Sequence, residues 1–166
     1  MKIFIDDFTF NEAIKHGKLE VAEWLLLNNC PVRSSAYLQK LEIPTIEWLY
    51  NHNVKLEKFL LSNVIESTNS EEVIRWFIDR GVPVTTECVN SCIRTKEQDY
   101  TRKFILEHKA KLSYSNYELA VLLENIEMLD LLKDLNCPFE DSVIEKALKY
   151  SKKKSIKWLV DSGFLT

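Results

Sequence analysis

The chain has 166 residues, 46% hydrophobic and 28% charged, with a formal net charge of −3 and a pI near 5.7. It can bury a core as a globular protein, and its charge supplies no global field to draw it to nucleic acid or an anionic membrane. No apolar run reaches the roughly 18–20 residues that span a bilayer, and MKIFIDDF is too short and too acidic for a secretory signal, so an intracellular, cytoplasmic protein with reduced cysteines is expected.

The predicted elements come in pairs. FTFNEAIKH reads as a short helix, Gly17 as a turn, and LEVAEWLLL as a second helix stopped by Asn29 and Pro31. SSAYLQKL and the helix around Trp48 follow, with Pro44 where that helix begins. EKFLLSNVIES then precedes the helix around Trp76, stopped by Gly81 and Pro83, and ECVNSCIRT precedes the helix around Phe104. YSNYELAVLLE precedes the helix around Leu131, which Asn136 and Pro138 stop, and DSVIEKALKY precedes the helix around Trp158, which ends at Gly163. Apolar residues at Val21, Trp24 and Leu25, and again at Val73, Trp76 and Phe77, have the spacing of a helix with one buried face.

The second helices are in register. Trp24, Trp48, Trp76, Phe104, Leu131 and Trp158 are separated by 24, 28, 28, 27 and 27 residues, and all four tryptophans occupy this anchor position. Five residues after each anchor come Asn29, Asn53, Gly81, Lys109, Asn136 and Gly163, the residue types that adopt a left-handed backbone past a helix end, with Lys109 as the exception. Eight residues after the anchor, Val32, Leu56, Val84, Leu112 and Phe139 are expected to return an apolar side chain to the core. Eleven residues before it, Ala13, Ala120 and Ala147 are small where two helices approach. Glu20, Glu72 and Glu127 early in these helices and His52, Arg80 and His108 late in them suit the helix dipole. Helices this short cannot bury their faces alone, so six units, approximately 4–32, 33–56, 57–84, 85–112, 113–139 and 140–166, are expected to stack in a single all-α domain.

In AIKHGKLEVAEWLLLNNCPV, the residues Ala13, Gly17, Leu19, Glu20, Val21, Leu25, Leu26 and Val32 resemble an ankyrin repeat, with Asn29 and Cys30 in place of Gly-Ala. The Thr-Pro-Leu-His signature is absent and the units are shorter than the usual repeat. The resemblance therefore implies an ankyrin-like solenoid of about six helix-turn-helix repeats with reduced or absent hairpin fingers. The shortened, Cys-Pro-containing style is similar to the degenerate arrays of large DNA viruses of amoebae. The resemblance implies a non-catalytic module that binds another protein, in a virus a host-directed adaptor in the host cytoplasm. By analogy with the concave positions of such repeats, the partner-binding residues are Glu12, Lys15, His16, Gln39, Lys40, Thr95, Lys96, Lys146, Lys149 and Tyr150.

Chemistry leaves little trace. The three glycines are too widely spaced for a glycine-rich phosphate cradle. Cys88 and Cys92 share a helix face, but no His or Cys close in sequence completes a metal site, and Cys30 and Cys137 occupy equivalent positions that read as small packed residues. His52 and His108 read as helix-end caps, and His16 lacks a nearby carboxylate and nucleophile set. No catalytic residue, metal ligand, cofactor or small-molecule substrate is expected. The last unit holds Lys152, Lys153, Lys154 and Lys157, which read either as a solvated cap or as a patch for an acidic partner, a nucleic-acid backbone or nuclear import. Asp6, Asp7, Glu12, Glu20 and Glu23 near the other end oppose that charge. Two alternatives thus remain beside a protein-binding module: a nucleic-acid or chromatin-associated factor, and a structural protein that assembles with itself.

Overall fold

Several helices are started by a side chain that satisfies their own free N–H groups. Asp6 accepts from the Thr9 N–H at 2.9 Å, Ser70 from that of Val73 at 3.3 Å, and Asn125 from that of Met128 at 3.1 Å. Ser113 and Asn116 cap each other reciprocally, with the Ser113 N–H donating to Asn116 Oδ1 at 2.9 Å. The computed structural model, which describes residues 5–165, shows six successive pairs of helices. The pairs are α1 (Asp7–Lys15) with α2 (Leu19–Leu27), a 3-10 helix (Ser34–Leu38) with α3 (Ile43–Asn51), and α4 (Leu60–Ser67) with α5 (Glu71–Asp79). Then come α6 (Thr86–Thr95) with α7 (Gln98–His108), α8 (Tyr114–Leu123) with α9 (Ile126–Asp134), and α10 (Asp141–Lys149) with α11 (Lys153–Asp161). No strand occurs among the described residues, so the links between pairs are loops. Phe4 and Thr166, the outer bounds expected for the first and last units, lie outside them.

Helix ends are built to one plan. The residue six after each anchor donates its N–H to the carbonyl one after the anchor in every pair: Cys30 to Leu25, Val54 to Leu49, Val82 to Phe77, Ala110 to Ile105, Cys137 to Leu132 and Phe164 to Leu159, at 2.9–3.1 Å. This bond needs a left-handed residue between, and Asn29, Asn53, Gly81, Lys109, Asn136 and Gly163 all have φ between 49° and 84°. Lys109, the wrong residue type for this position, is therefore held left-handed by the turn that its five counterparts make. The first helices of three pairs end in the same way. Lys18, Asn125 and Lys152 donate to Ala13, Ala120 and Ala147, across left-handed Gly17, Glu124 and Ser151. All nine left-handed residues among those described fall on these two positions.

Three expectations are corrected. The first helix of the second pair shrinks to a five-residue 3-10 helix, because the 24-residue anchor spacing there leaves out about one helical turn. The chain returns to the core six residues after the anchor, at Cys30, Val54, Val82, Ala110 and Cys137, which are buried, whereas the residues two further on are only half-buried. Finally, Trp76, Phe104, Leu131 and Trp158 are buried, but Trp24 and Val21 are each 49% exposed. Trp76 Nε1 donates to Glu47 at 3.5 Å and Trp158 Nε1 to Asp130 at 2.7 Å, so these two anchors are each met by the pair that precedes them within their own unit. No described helix precedes α1.

The chain divides at Pro83 into two compact units of three pairs each. In the first, Phe10, Ile14, Tyr37, Leu61 and Phe77 form the core, and Tyr37 donates its hydroxyl to the Val54 carbonyl at 2.8 Å. In the second, α8 packs between α6 and α10, with Tyr117, Leu131 and Leu132 buried at the centre.

Candidate functional site

In the second unit the starts of α6 and α8 meet, where Asn116 donates to the Thr86 carbonyl at 3.4 Å, and the ends of α8 and α10 meet, where the Lys154 N–H donates to Glu124 at 2.9 Å, so these first helices run parallel; Asn116 also donates to Asn90 at 2.8 Å, and Lys146 in the last turn of α10 pairs with Glu118 at 2.6 Å. Their C-terminal ends therefore follow one another along one edge, which is where the sequence places the partner-binding residues. Thr95 and Lys96 end α6, and Lys149 and Tyr150 end α10. Thr95 donates to the Ser91 carbonyl at 2.8 Å, and the Lys96 ammonium lies 5.9 Å from the Tyr100 ring centroid. Lys149 is 5.4 Å from the Tyr150 ring, and Tyr150 is 52% exposed. Lys146 is half-buried by its pairing with Glu118 and faces along the helix stack. A polar cleft beside this edge is lined by Lys96, Gln98, Asn125 and Glu127.

Between those two ends lies one that sequence reading missed. Leu123 ends α8, is 49% exposed, and holds the same position relative to its anchor as His16 and Tyr150. The register alone would have found it. Two tyrosines, two lysines and this leucine make an edge of apolar rings and aliphatic surface dotted with positive charge.

The first unit gathers its residues differently. At the end of α1, Glu12 accepts from Lys15 at 3.1 Å and lies 3.4 Å from His16 Nε2. The Lys15 hydrogen bond holds the Glu12 carboxyl below the usual range. Lys40 Nζ sits 3.3 Å from where a Cβ on Gly17 would stand, so the segment after the 3-10 helix reaches back to the α1 turn, and Lys40 also pairs with Glu42 at 3.3 Å. Gln39 instead donates to the Ser35 carbonyl at 3.1 Å.

The four lysines of the last pair surround the start of α11. Lys152 is its N-cap residue, Lys153 and Lys154 form its first turn, and the Lys154 N–H donates to the Glu124 carboxylate at 2.9 Å. Lys157, one turn on, pairs with Asp161 at 2.5 Å while remaining largely exposed. Cations at a helix N-terminus oppose the dipole, and Glu124 is the acid that offsets them here.

His52, His108 and the cysteines are packed, whereas His16 is exposed. His52 Nδ1 lies 2.7 Å from the Trp48 carbonyl with its ring stacked on Trp48, and Asn28 and Arg80 reach the carbonyls of Trp24 and Trp76 from the equivalent place. Cys30 and Cys137 donate to the carbonyls of Asp6 and Ser113 at 3.1 and 3.2 Å, tying each second-helix end to the start of its own first helix. Burial pushes the Cys92 and Cys137 thiols up to about 12, and burial also raises Cys30 and Cys88. Among the described residues no group of three His, Cys, Asp or Glu side chains is placed to hold a metal ion, and no helix is long and apolar enough to cross a membrane. No family model matches the chain, and no curated protein or solved structure matches it either.

Proposed function

We propose that the chain is an ankyrin-like array of helix pairs with loops in place of hairpin fingers, and that it works as a non-catalytic module binding another protein. The observation that carries this reading is the edge formed by the ends of α6, α8 and α10. There Lys96, Leu123, Lys149 and Tyr150 present rings, aliphatic surface and positive charge on rigid helix ends. Rings and aliphatic surface beside cations fit a protein segment with apolar side chains and acidic flanks. A repeat array holds such groups at fixed spacing and so recognises an extended surface. The burial of all four thiols supports a binding role over thiol chemistry.

The second reading, a nucleic-acid or chromatin-associated factor, is favoured by one feature: Lys152, Lys153 and Lys154 crowd the α11 N-terminus against its dipole. The deciding experiment is affinity capture with the wild-type chain, the Lys149→Glu/Tyr150→Ala variant, and a variant with Lys152, Lys153 and Lys154 replaced by glutamine. Capture is run at low and high salt, with and without nuclease. A discrete protein retained in high salt and lost with Lys149→Glu/Tyr150→Ala supports the first reading. Nucleic acid that is lost with the glutamine variant and falls steeply with salt supports the second. If neither variant changes what is captured, both readings fail.

A further inference from the structure

The exposed face of α2 and that of α10 and α11 match, position by position, much of the junction by which successive pairs mate within each unit. Four contacts define that junction inside the two units. An anchor meets the residue just before the preceding anchor, as Trp76 meets Glu47 and Trp158 meets Asp130. The residue three before an anchor meets the one ten before the preceding anchor, as Ser155 donates to the Val121 carbonyl at 2.9 Å. Likewise Asp134 meets Arg102 at 3.0 Å, and the Glu127 carbonyl accepts from Gln98 at 2.8 Å. The Trp76 and Trp158 contacts show the same register in both units.

Apply this register to the face of α2, with the exposed face of α10 and α11 as the preceding surface. Trp24 then meets Lys157, Val21 meets Leu148, Leu27 meets Ile156, and Glu20 meets Lys152. The last three are two apolar pairs and an ion pair. Val21 and Trp24 are half exposed, Leu27 is 78% exposed and Leu148 is 52% exposed, although Val73, Trp76 and Val121 at equivalent places are buried. Two transposed pairs oppose: Lys157 stands where Glu47 and Asp130 accept from the anchor indole, and Glu12 would face Glu145 where Glu118 faces Lys146.

We propose that the α2 face of one copy docks on the α10–α11 face of a second copy, continuing the pair-to-pair register between chains. The contact is heterologous, so it generates chains or closed rings rather than a two-fold dimer. It rests on the observed register and not on the partner-binding reading, so either can fail alone.

The test is sedimentation velocity and light scattering from low micromolar toward millimolar protein. Three chains are compared: wild type, Leu27→Lys with a charge blocking the α2 face, and Leu148→Glu with a charge blocking the α10 face. Both substituted side chains are largely exposed, and circular dichroism checks that the fold is kept. The wild type should grow beyond a dimer with concentration. Each variant alone should associate at least about tenfold more weakly. Their equimolar mixture, which retains one intact face of each kind, should form a one-to-one dimer and stop there. A wild type that stays monomeric throughout overturns the proposal, as does a mixture no larger than its components. An independent pair, Glu20→Lys and Lys152→Glu, should each weaken association and together restore it; failure of the combined variant to recover counts against the register.

Discussion

Gly81 and Lys109 occupy the same place after their anchors with opposite residue types, and exchanging those types tests the turn directly. Gly81 has φ +84° and nothing within 4 Å of an added Cβ, so Gly81→Ala meets no clash and its effect is purely conformational. A left-handed L-residue costs roughly 1–2 kcal/mol, while alanine recovers about 0.4–1 kcal/mol by restricting the unfolded chain, leaving a net destabilisation of up to about 1.6 kcal/mol and near 0.8 kcal/mol at the middle of both ranges. Lys109 already bears that strain at φ 49°, and its side chain is exposed. Lys109→Gly is therefore expected to stabilise by up to about 1 kcal/mol from the same terms reversed. Urea unfolding followed by far-UV circular dichroism reads both. With a slope near 2 kcal/mol/M, 1 kcal/mol moves the midpoint by about 0.5 M, downward for Gly81→Ala and upward for Lys109→Gly. If both variants move the midpoint in one direction, or if Gly81→Ala raises it, the left-handed turn is not what fixes these helix ends.

Trp76→Ala should cost about 3–5 kcal/mol, since the indole is buried against Tyr37 and Phe77 and under the Arg80 guanidinium, while Trp24→Ala should cost less than half as much. Equal losses in urea midpoint would contradict the assignment of α2 as an uncovered face. Asn116 is fully buried between Ser113 and Asn90, so Asn116→Leu and Asn90→Leu should each destabilise. The double variant should fall short of their sum by about 0.5–3 kcal/mol, and strict additivity would show that the amides act separately. The Cys92 and Cys137 thiols are raised from 9.0 to about 12, so folding keeps them protonated where the unfolded chain would ionise. Their contribution is whole below about pH 9 and is lost as pH rises toward 12, by at most about 1.4 kcal/mol per pH unit for each thiol. A Cys92→Ala/Cys137→Ala variant should show a flatter fall in urea midpoint over that window, and a slope equal to that of the wild type would refute the cause.

The anchors and stops were legible because each is a residue type with one dominant use. Asn29, Asn53, Gly81, Asn136 and Gly163 announce left-handed turns by composition alone. Glu124 and Ser151 make the same turn and were invisible, because neither residue type favours it; there the i-to-i−5 bond to an alanine carbonyl overrides local preference. The 3-10 helix was hidden for a different reason. SSAYL has ordinary helix formers, and only the shortened spacing to Trp48 shows that no room remains for a further turn. Periodicity placed Val21, Trp24 and Leu25 on one apolar face, and only Leu25 is buried. A repeating pattern states which face seeks cover, but whether a neighbour stands there is a tertiary fact. Leu123 was missed on the candidate edge although its register matches that of Tyr150, because an aliphatic residue at a helix end reads as core.

Short apolar helices raise a further question, since apolar area alone would tolerate a slip of one turn between neighbours. Position three before the anchor carries a buried hydroxyl in three of the six pairs, at Thr45, Thr101 and Ser155, and in the last of them it answers the question. Thr101 satisfies itself on the Glu97 carbonyl, but Ser155 depends on Val121 of the neighbouring pair. A slip of α11 along α8 would strand that hydroxyl, and a buried unsatisfied group costs about 1–3 kcal/mol. The Asn116 and Asn90 amides impose the same restriction between α6 and α8, since Asn116 Oδ1 is already committed to the Ser113 N–H and its Nδ2 reaches Asn90 only at this offset. Apolar faces therefore bring the pairs together in the second unit, while a few buried polar groups choose among the offsets those faces would accept. That division of labour also explains why the candidate edge is regular: the C-terminal ends of α6, α8 and α10 stand in series because the offsets behind them are fixed by hydrogen bonds rather than by area.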